Sequence, residues 1–296
     1  MSFLVFGAGG QLGRELAGMT ASRKLPAVLL ARAEADIGDR EAVTAAVVNM
    51  RPTVVVNAAA YTKVDKAEDE PAQAFRENRD GPALLAEICA ARGLPLIHVS
   101  TDYVFDGTKP APYVETDPVA PLGVYGASKE AGEQAVRARL DRHVILRTAW
   151  VYGIHGNNFL KTMLNLAGNR ESWGVVADQR GNPTATEDLA AAILAAAARA
   201  AEGTARWGTY HFAGTGMATW HDFASEIVAA QAPVTGRNPE LRAITTAEYP
   251  TKTRRPANSC LDSGHFASVF GMKARPWRER TREVVAALLA AAKREA

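Results

Sequence analysis

Three observations over residues 3–150 predict an α/β fold: a doubly wound parallel sheet of the Rossmann type with a smaller, interleaved α/β substrate-binding domain. Short apolar runs alternate with helical stretches, the rhythm of repeated strand-helix-strand units. The runs are apolar almost throughout rather than at every second residue, which suits strands covered on both faces. Glycines in the spacing GxxGxxG follow the first run and lead into a helix.

The first run, FLVF, breaks into Gly7-Ala8-Gly9-Gly10-Gln11-Leu12-Gly13. Gly7 permits a tight turn, Gly10 lets backbone amides approach a pyrophosphate, and Gly13 lets the helix sit close to the strand. A glycine-rich turn without a ligand is the plainer alternative. The second run, AVLLA, ends at Arg32 with no acid before Glu34. An acid there would bind the adenosine ribose and an arginine suits a 2′-phosphate, so this end leans toward NADPH over NADH, although a lone arginine is often merely solvated. Asp36 and Ile37 could flank the adenine, or Asp36 could cap a turn. In TVVVNAAA the small Ala58, Ala59 and Ala60 leave room for a flat cofactor or simply pack tightly.

The fourth run, LPLIHVS, leads into Thr101-Asp102-Tyr103. Ligands of a doubly wound sheet sit at the carboxyl ends of the strands, so Thr101 and Asp102 would emerge at the reactive end of the cofactor. Thr101 could there hydrogen-bond a carbonyl oxygen as charge grows on it, unless it only caps the strand end. Tyr125-Gly-Ala-Ser-Lys129 sets a phenol and an ammonium four residues apart, on one face if helical. A free phenol titrates near pH ~10; a neighbouring ammonium is expected to lower that value, so that the pair can exchange a proton with a carbonyl oxygen. A surface tyrosine near a surface lysine is the bland alternative.

HVILRTAW closes the regular part at Trp150. Beyond it, Thr184-Ala-Thr-Glu187 has capping-box spacing ahead of a helix near residues 187–200, and Tyr210-His-Phe-Ala213 reads as another strand. Both are expected to return to the sheet. Residues 1–150 with pieces near 185–213 would bind the dinucleotide; 151–184 and 214–296 would mainly bind substrate. Thr219-Trp-His-Asp222 opens a further helix, and Trp277 to Ala296 forms a terminal one.

The 296 residues are 47% apolar, enough for a substantial core. A net charge of +2 without a basic block excludes a nucleic-acid footprint. The start, MSFLVF, lacks the basic, long apolar pattern of a signal peptide, and LAAAILAAAARAA (189–201) is too short to span a membrane. Cys89 and Cys260 give neither bridges nor metal-ligand spacing and are expected to be inert packing residues of a cytoplasmic protein.

Together GxxGxxG, NAAA, STDYVF and YxxxK resemble the extended short-chain dehydrogenases/reductases that act on nucleotide sugars. Further stretches carry the likeness along the chain: Val56 to Glu68, Val114 to Asp117, Pro121 to Tyr125, Arg147 to Tyr152, Asn157 to Phe159, Asp178-Gln179, Thr219 to Asp222, Tyr249 to Thr251 and Arg254 to Pro256. The resemblance implies hydride transfer from NADPH or NADH to the C4 ketone of dTDP-4-dehydro-β-L-rhamnose, giving dTDP-β-L-rhamnose for surface polysaccharide such as the O-antigen of lipopolysaccharide. It implies Thr101, Tyr125 and Lys129 as the catalytic trio, with Tyr125 and Lys129 also at the cofactor. Asp102, Tyr103 and Trp150 would meet the sugar nucleotide, and Gly10, Gln11, Leu12, Asp36, Ile37 and Ala58 to Ala60 the cofactor. Arg254 and Arg255 are candidates for the substrate diphosphate by charge and fork geometry, against plain surface roles. Dehydratases of the superfamily carry Glu where this chain has Tyr103, so the base for elimination is missing.

Two departures stand out: the acid near the end of the second strand is absent, and the connection there is short. Some relatives are described as magnesium-bridged homodimers, and Glu15 and Glu187 match two of their acidic positions. The residues themselves assign no metal. Two other functions fit the same motifs: a non-catalytic cofactor-binding regulatory subunit of a methionine adenosyltransferase, and an epimerase or reductase of another sugar nucleotide.

Overall fold

The computed structural model describes residues 1–295; Ala296, the last residue of the expected terminal helix, lies outside the described residues. Six strands form one parallel sheet, in the spatial order Gly208–His211, His143–Thr148, Leu96–Thr101, Val54–Asn57, Phe3–Phe6 and Ala27–Leu30. Phe3–Phe6 therefore lies between the strands that follow it in sequence on either side. The order reverses there, which opens a crevice above the carboxyl ends of Phe3–Phe6 and Val54–Asn57.

The continuous apolar runs are explained by cover on both faces. Phe3, Val5, Val54 and Val56 pack with Leu12, Leu16, Leu189 and Ile193 on one side; Leu4, Phe6 and Val55 pack with Val43, Val47, Leu85 and Val136 on the other. Each fully buried side chain of this size contributes about 1.5–3 kcal/mol. The helix Thr186–Ala201 fills the first face with alanines, and Gly208–His211 adds the outermost strand, so this part of the chain does return to the sheet.

A second core gathers Tyr152, Leu160, Met163, Trp173, Phe223, Ile227 and Trp277. It is built by the helices Phe159–Asn169, Trp220–Thr235 and Trp277–Glu295 and by the parallel pair Ser172–Val176 with Glu240–Ile244. Thr219 and Asp222 form the expected reciprocal cap at the start of Trp220–Thr235. The expected cap at Thr184 is not made. Thr184–Ala185 instead pairs as a strand with Val151–Tyr152, and the Thr184 hydroxyl donates to the Asn182 carbonyl while accepting from the Gly214 amide; the helix starts after Ala185 without a side-chain cap. Tertiary pairing outcompetes the local motif. Both cysteines are buried thiols, and burial pushes Cys89 up to about 12 and Cys260 to about 11, which leaves them inert. Among the described residues no helix is long and apolar enough to cross a membrane.

Candidate active site

The glycine loop follows its sequence logic atom by atom. Gly7 has φ +96°, and a Cβ on it would lie 2.5 Å from the Ala59 amide nitrogen. Gly13 lies beneath the loop, where a Cβ would stand 2.1 Å from the Gly7 carbonyl oxygen, so only glycine lets Gln11–Ser22 pack this closely. Gly10 differs: a Cβ there would meet nothing nearer than the Gly7 oxygen at 3.5 Å, because the loop faces a cleft of about 790 Å³. The helix start behind it has no side-chain cap. Small backbone, free space and a helix amino end fit a pyrophosphate. Asn57, fully buried, sets the next wall: its Oδ1 accepts from the Ala59 amide at 3.0 Å and its amide contacts His98 at 3.1 Å, which fixes Ala58 to Ala60 along the cleft.

At the far end Arg32 is not simply solvated. It pairs with Glu77 at 2.8 Å and Asp36 at 3.3 Å, and Arg76 joins Asp36 at 3.1 Å. Burial alone would raise the Asp36 pKa; the Gly38 amide and both guanidiniums outweigh it and hold the carboxyl below its ordinary range. Ile37 is packed against Gly81, where a Cβ would lie 2.6 Å from its Cδ1.

At the near end, Leu96–Thr101 delivers Thr101, whose Oγ1 donates to Asp102 Oδ1 at 3.0 Å and accepts from the Tyr103 amide at 3.2 Å. It therefore caps the short turn Asp102–Val104 while facing the cleft. The helix Val124–Arg139 presses on that turn because residue 126 is glycine; a Cβ there would stand 2.2 Å from the Tyr103 carbonyl oxygen. The approach sets the Tyr125 ring 5.5 Å from the Tyr103 ring, edge to face, with Thr101 beside the phenol. Lys129, one turn on, is buried and donates to the Val99 carbonyl at 2.7 Å.

The electrostatics correct one expectation. Lys129 is not among the groups that set the Tyr125 titration, since its ammonium is turned onto the Val99 carbonyl. Burial pushes the phenol well above its ordinary value, the Asp102 charge pushes the same way, and only the Thr101 hydroxyl opposes them. The phenol is thus protonated at neutral pH. Burial lowers Lys129 to about 8 against the pull of Glu133. Burial also raises Asp102 to about 6, and its Oδ2 is buried with no hydrogen-bond partner among the described residues.

A family model described as the RmlD substrate binding domain matches residues 1–290. The chain belongs to the RmlD family. A dTDP-4-dehydrorhamnose reductase of Sinorhizobium fredii is 43% identical over 291 residues, 98% of each chain. The crystal structure of a dTDP-4-dehydrorhamnose reductase from Clostridium acetobutylicum superposes with a TM-score of 0.90 at 36% identity, covering 97% of this chain and 99% of that one. A Bacillus anthracis dTDP-4-dehydrorhamnose reductase in complex with NADP gives 0.89 at 33% identity, covering 97% and 100%.

In this RmlD-family chain every predicted cofactor residue except Gly13 lines this same cleft, together with Thr101, Asp102, Tyr103 and Trp150. Trp150 holds φ +47°, rare for a bulky residue. Its indole lies against Gly181, where a Cβ would be 2.3 Å away, and stacks on Trp220 at 3.5 Å and 6°. Arg255 and Arg254 lie outside the cleft lining: Arg255 pairs with Asp65 at 2.8 Å beside the Tyr103 phenol, and Arg254 is exposed. Glu15 accepts from the Thr186 hydroxyl at 2.8 Å and Glu187 pairs with Arg280 at 3.0 Å. Among the described residues no three ligating side chains cluster.

Sequence reasoning missed Trp220, whose Nε1 donates to Gln179 at 3.2 Å, and Phe159, which packs on it at 4.7 Å. Both residues and Gln179 sat in quoted motifs, Thr219 to Asp222, Asn157 to Phe159 and Asp178-Gln179, but only the fold brings them to Trp150. Thr148 and Asn157, from stretches that carried the likeness without an assigned role, also line the cleft, as does Glu77, which lay in no motif.

Proposed function

We propose that the chain is an NAD(P)-dependent reductase that reduces the C4 ketone of dTDP-4-dehydro-β-L-rhamnose to dTDP-β-L-rhamnose, for surface polysaccharide. The observation that carries this is the convergence, in one cleft, of the glycine loop with Thr101, Tyr125 and Lys129. A bound nicotinamide cofactor supplies the hydride. Tyr125 gives its proton to the ketone oxygen. Thr101 turns its hydroxyl from Asp102 toward the same oxygen and meets the growing charge. Lys129, anchored on Val99, orients the cofactor ribose beside the phenol. Trp150 and Trp220 form an aromatic wall for the sugar nucleotide, and Arg254 and Arg255, which lie outside the cleft lining, are the candidates for its diphosphate. Residues 1–150 with 185–213 serve the dinucleotide, and 151–184 with 214–296 serve the substrate.

For the cofactor we infer NADPH, with Arg32 leaving Glu77 and Asp36 to meet the 2′-phosphate beside Arg76. The expected assembly is a cytoplasmic homodimer. Purified protein mixed with dTDP-4-dehydro-β-L-rhamnose tests the reading, with NADPH and NADH in parallel and the product identified by NMR. Formation of dTDP-β-L-rhamnose at a lower KM for NADPH supports it. Absence of reduction with either cofactor rejects it, and a lower KM for NADH rejects the NADPH assignment.

A further inference from the structure

The helix that carries Tyr125 begins after Gly123, which has extended backbone and no side chain to accept the first-turn amides. The acceptor comes from elsewhere in the chain. Glu68, just beyond the short helix Val64–Ala67, accepts at Oε1 from the Val124 amide at 2.9 Å. Glycine at 123 is what admits it, since a Cβ there would lie 2.6 Å from that oxygen and 2.8 Å from Thr253 Cγ2.

The same oxygen accepts from the Thr253 hydroxyl at 3.2 Å, a bond shared with the Val64 carbonyl at 3.0 Å. Thr253 is 2% exposed, its amide donates to Asp65 at 3.2 Å, and Arg255 pairs with the same carboxylate. One half-buried carboxylate therefore joins the first turn of the tyrosine helix to the 251–255 segment, next to Arg254 and Arg255, the candidates for the substrate diphosphate. Neither the cleft lining nor any motif assigned Glu68 this part.

We propose that Glu68 is a positioning residue for Tyr125: it caps the tyrosine helix in trans and, through Thr253, ties that cap to the 251–255 segment. The proposal rests on Tyr125 being the proton donor. A cap set by tertiary contact moves only if its partners move, so the phenol keeps its distance from Thr101 while substrate settles at the arginines. A displacement on the order of 1 Å at a reacting group is enough to slow the step many-fold.

Three variants of the full chain, Glu68→Ala, Glu68→Gln and Thr253→Val, test this against wild type with NADPH and the 4-keto sugar nucleotide. Glu68→Ala should lower kcat about tenfold or more, leave the KM for NADPH unchanged, and raise the solvent deuterium isotope effect on kcat, because proton transfer from a displaced phenol becomes the slower step. Glu68→Gln keeps an oxygen acceptor for Val124 and should restore most of the rate. Thr253→Val should raise the KM for the sugar nucleotide several-fold. A fall in rate with an unchanged isotope effect would mean only fewer folded molecules and would overturn the proposal. So would Glu68→Gln as slow as Glu68→Ala, or Thr253→Val with an unchanged KM. Amide exchange at Val124 adds a readout independent of turnover: slow in wild type and Glu68→Gln, fast in Glu68→Ala. If wild type reduces no keto sugar nucleotide, the functional reading fails, while Val124 exchange equal in all forms would refute the cap itself.

Discussion

Asp102 holds a carboxylate in a site that favours the protonated form. Between pH 3.8 and about 6 the folded protein keeps a proton that the unfolded chain has already lost, so stability falls as pH rises through that window. Above it the cost is fully present, on the order of 2–3 kcal/mol. Asp102→Asn keeps an acceptor for Thr101 and removes the charge. It should raise Tm at pH 7 in the absence of substrate, with the gain vanishing below pH 4, and it should slow reduction, since Thr101 loses the charged group that orients its hydroxyl. A Tm at pH 7 equal to or below wild type would contradict the buried-charge account. Single residues of this site were legible where spacing alone fixes geometry: Thr101 ends a strand and Tyr125 opens a helix, whatever the rest of the fold does. The direction of the Lys129 ammonium was not legible, because it depends on how closely Val124–Arg139 lies on Val99. Nor was the part played by Gln179, which acquires its partner only when Trp220 arrives.

The helix Val124–Arg139 is fastened to the sheet by a buried charge cluster as well as by apolar packing. Glu133, fully buried, accepts from Ser100 at 2.5 Å and from Arg147 at 2.7 and 2.9 Å, so one carboxylate grips both Leu96–Thr101 and His143–Thr148 next to the catalytic strand end. Burial alone would raise the Glu133 pKa, but the Arg147 hydrogen bonds outweigh it and hold the carboxyl well below its ordinary range. Arg147→Met should destabilise by up to about 3–5 kcal/mol, because it leaves the buried Glu133 carboxylate with only the partly exposed Arg137, at 2.9 Å, to balance its charge, and Glu133→Gln in the same chain should recover part of that loss. Denaturant unfolding of the two variants measures both; an Arg147→Met chain as stable as wild type would show the pair to be incidental. The sequence displays Glu133 and Arg147 but not their pairing, which needs the register of helix on sheet. Thr184 is the opposite case: the local motif was present, and a strand partner at Val151–Tyr152 took the residue away from it.

In the whole molecule, the reversal of strand order beside Phe3–Phe6 opens the crevice, and the second core closes its far side. Gln11 ties the two, donating to the Val151 carbonyl at 3.3 Å and accepting from Asn158 at 3.4 Å. The first 150 residues were readable because each strand is a continuous apolar run with its own helix. The later elements were harder to read because much of their pairing is by two-residue strands far apart in sequence, such as Arg180–Gly181 with Ala218–Thr219, which leave no periodic signal. The account comes together in one assembled object: a protonated phenol, a threonine and the glycine loop facing the same space. The most direct measurement is therefore the turnover of dTDP-4-dehydro-β-L-rhamnose by Tyr125→Phe beside wild type, with NADPH affinity measured on both. The account predicts a loss in kcat of about a hundredfold or more with NADPH affinity unchanged; a Tyr125→Phe protein that reduces the sugar at the wild-type rate would contradict it.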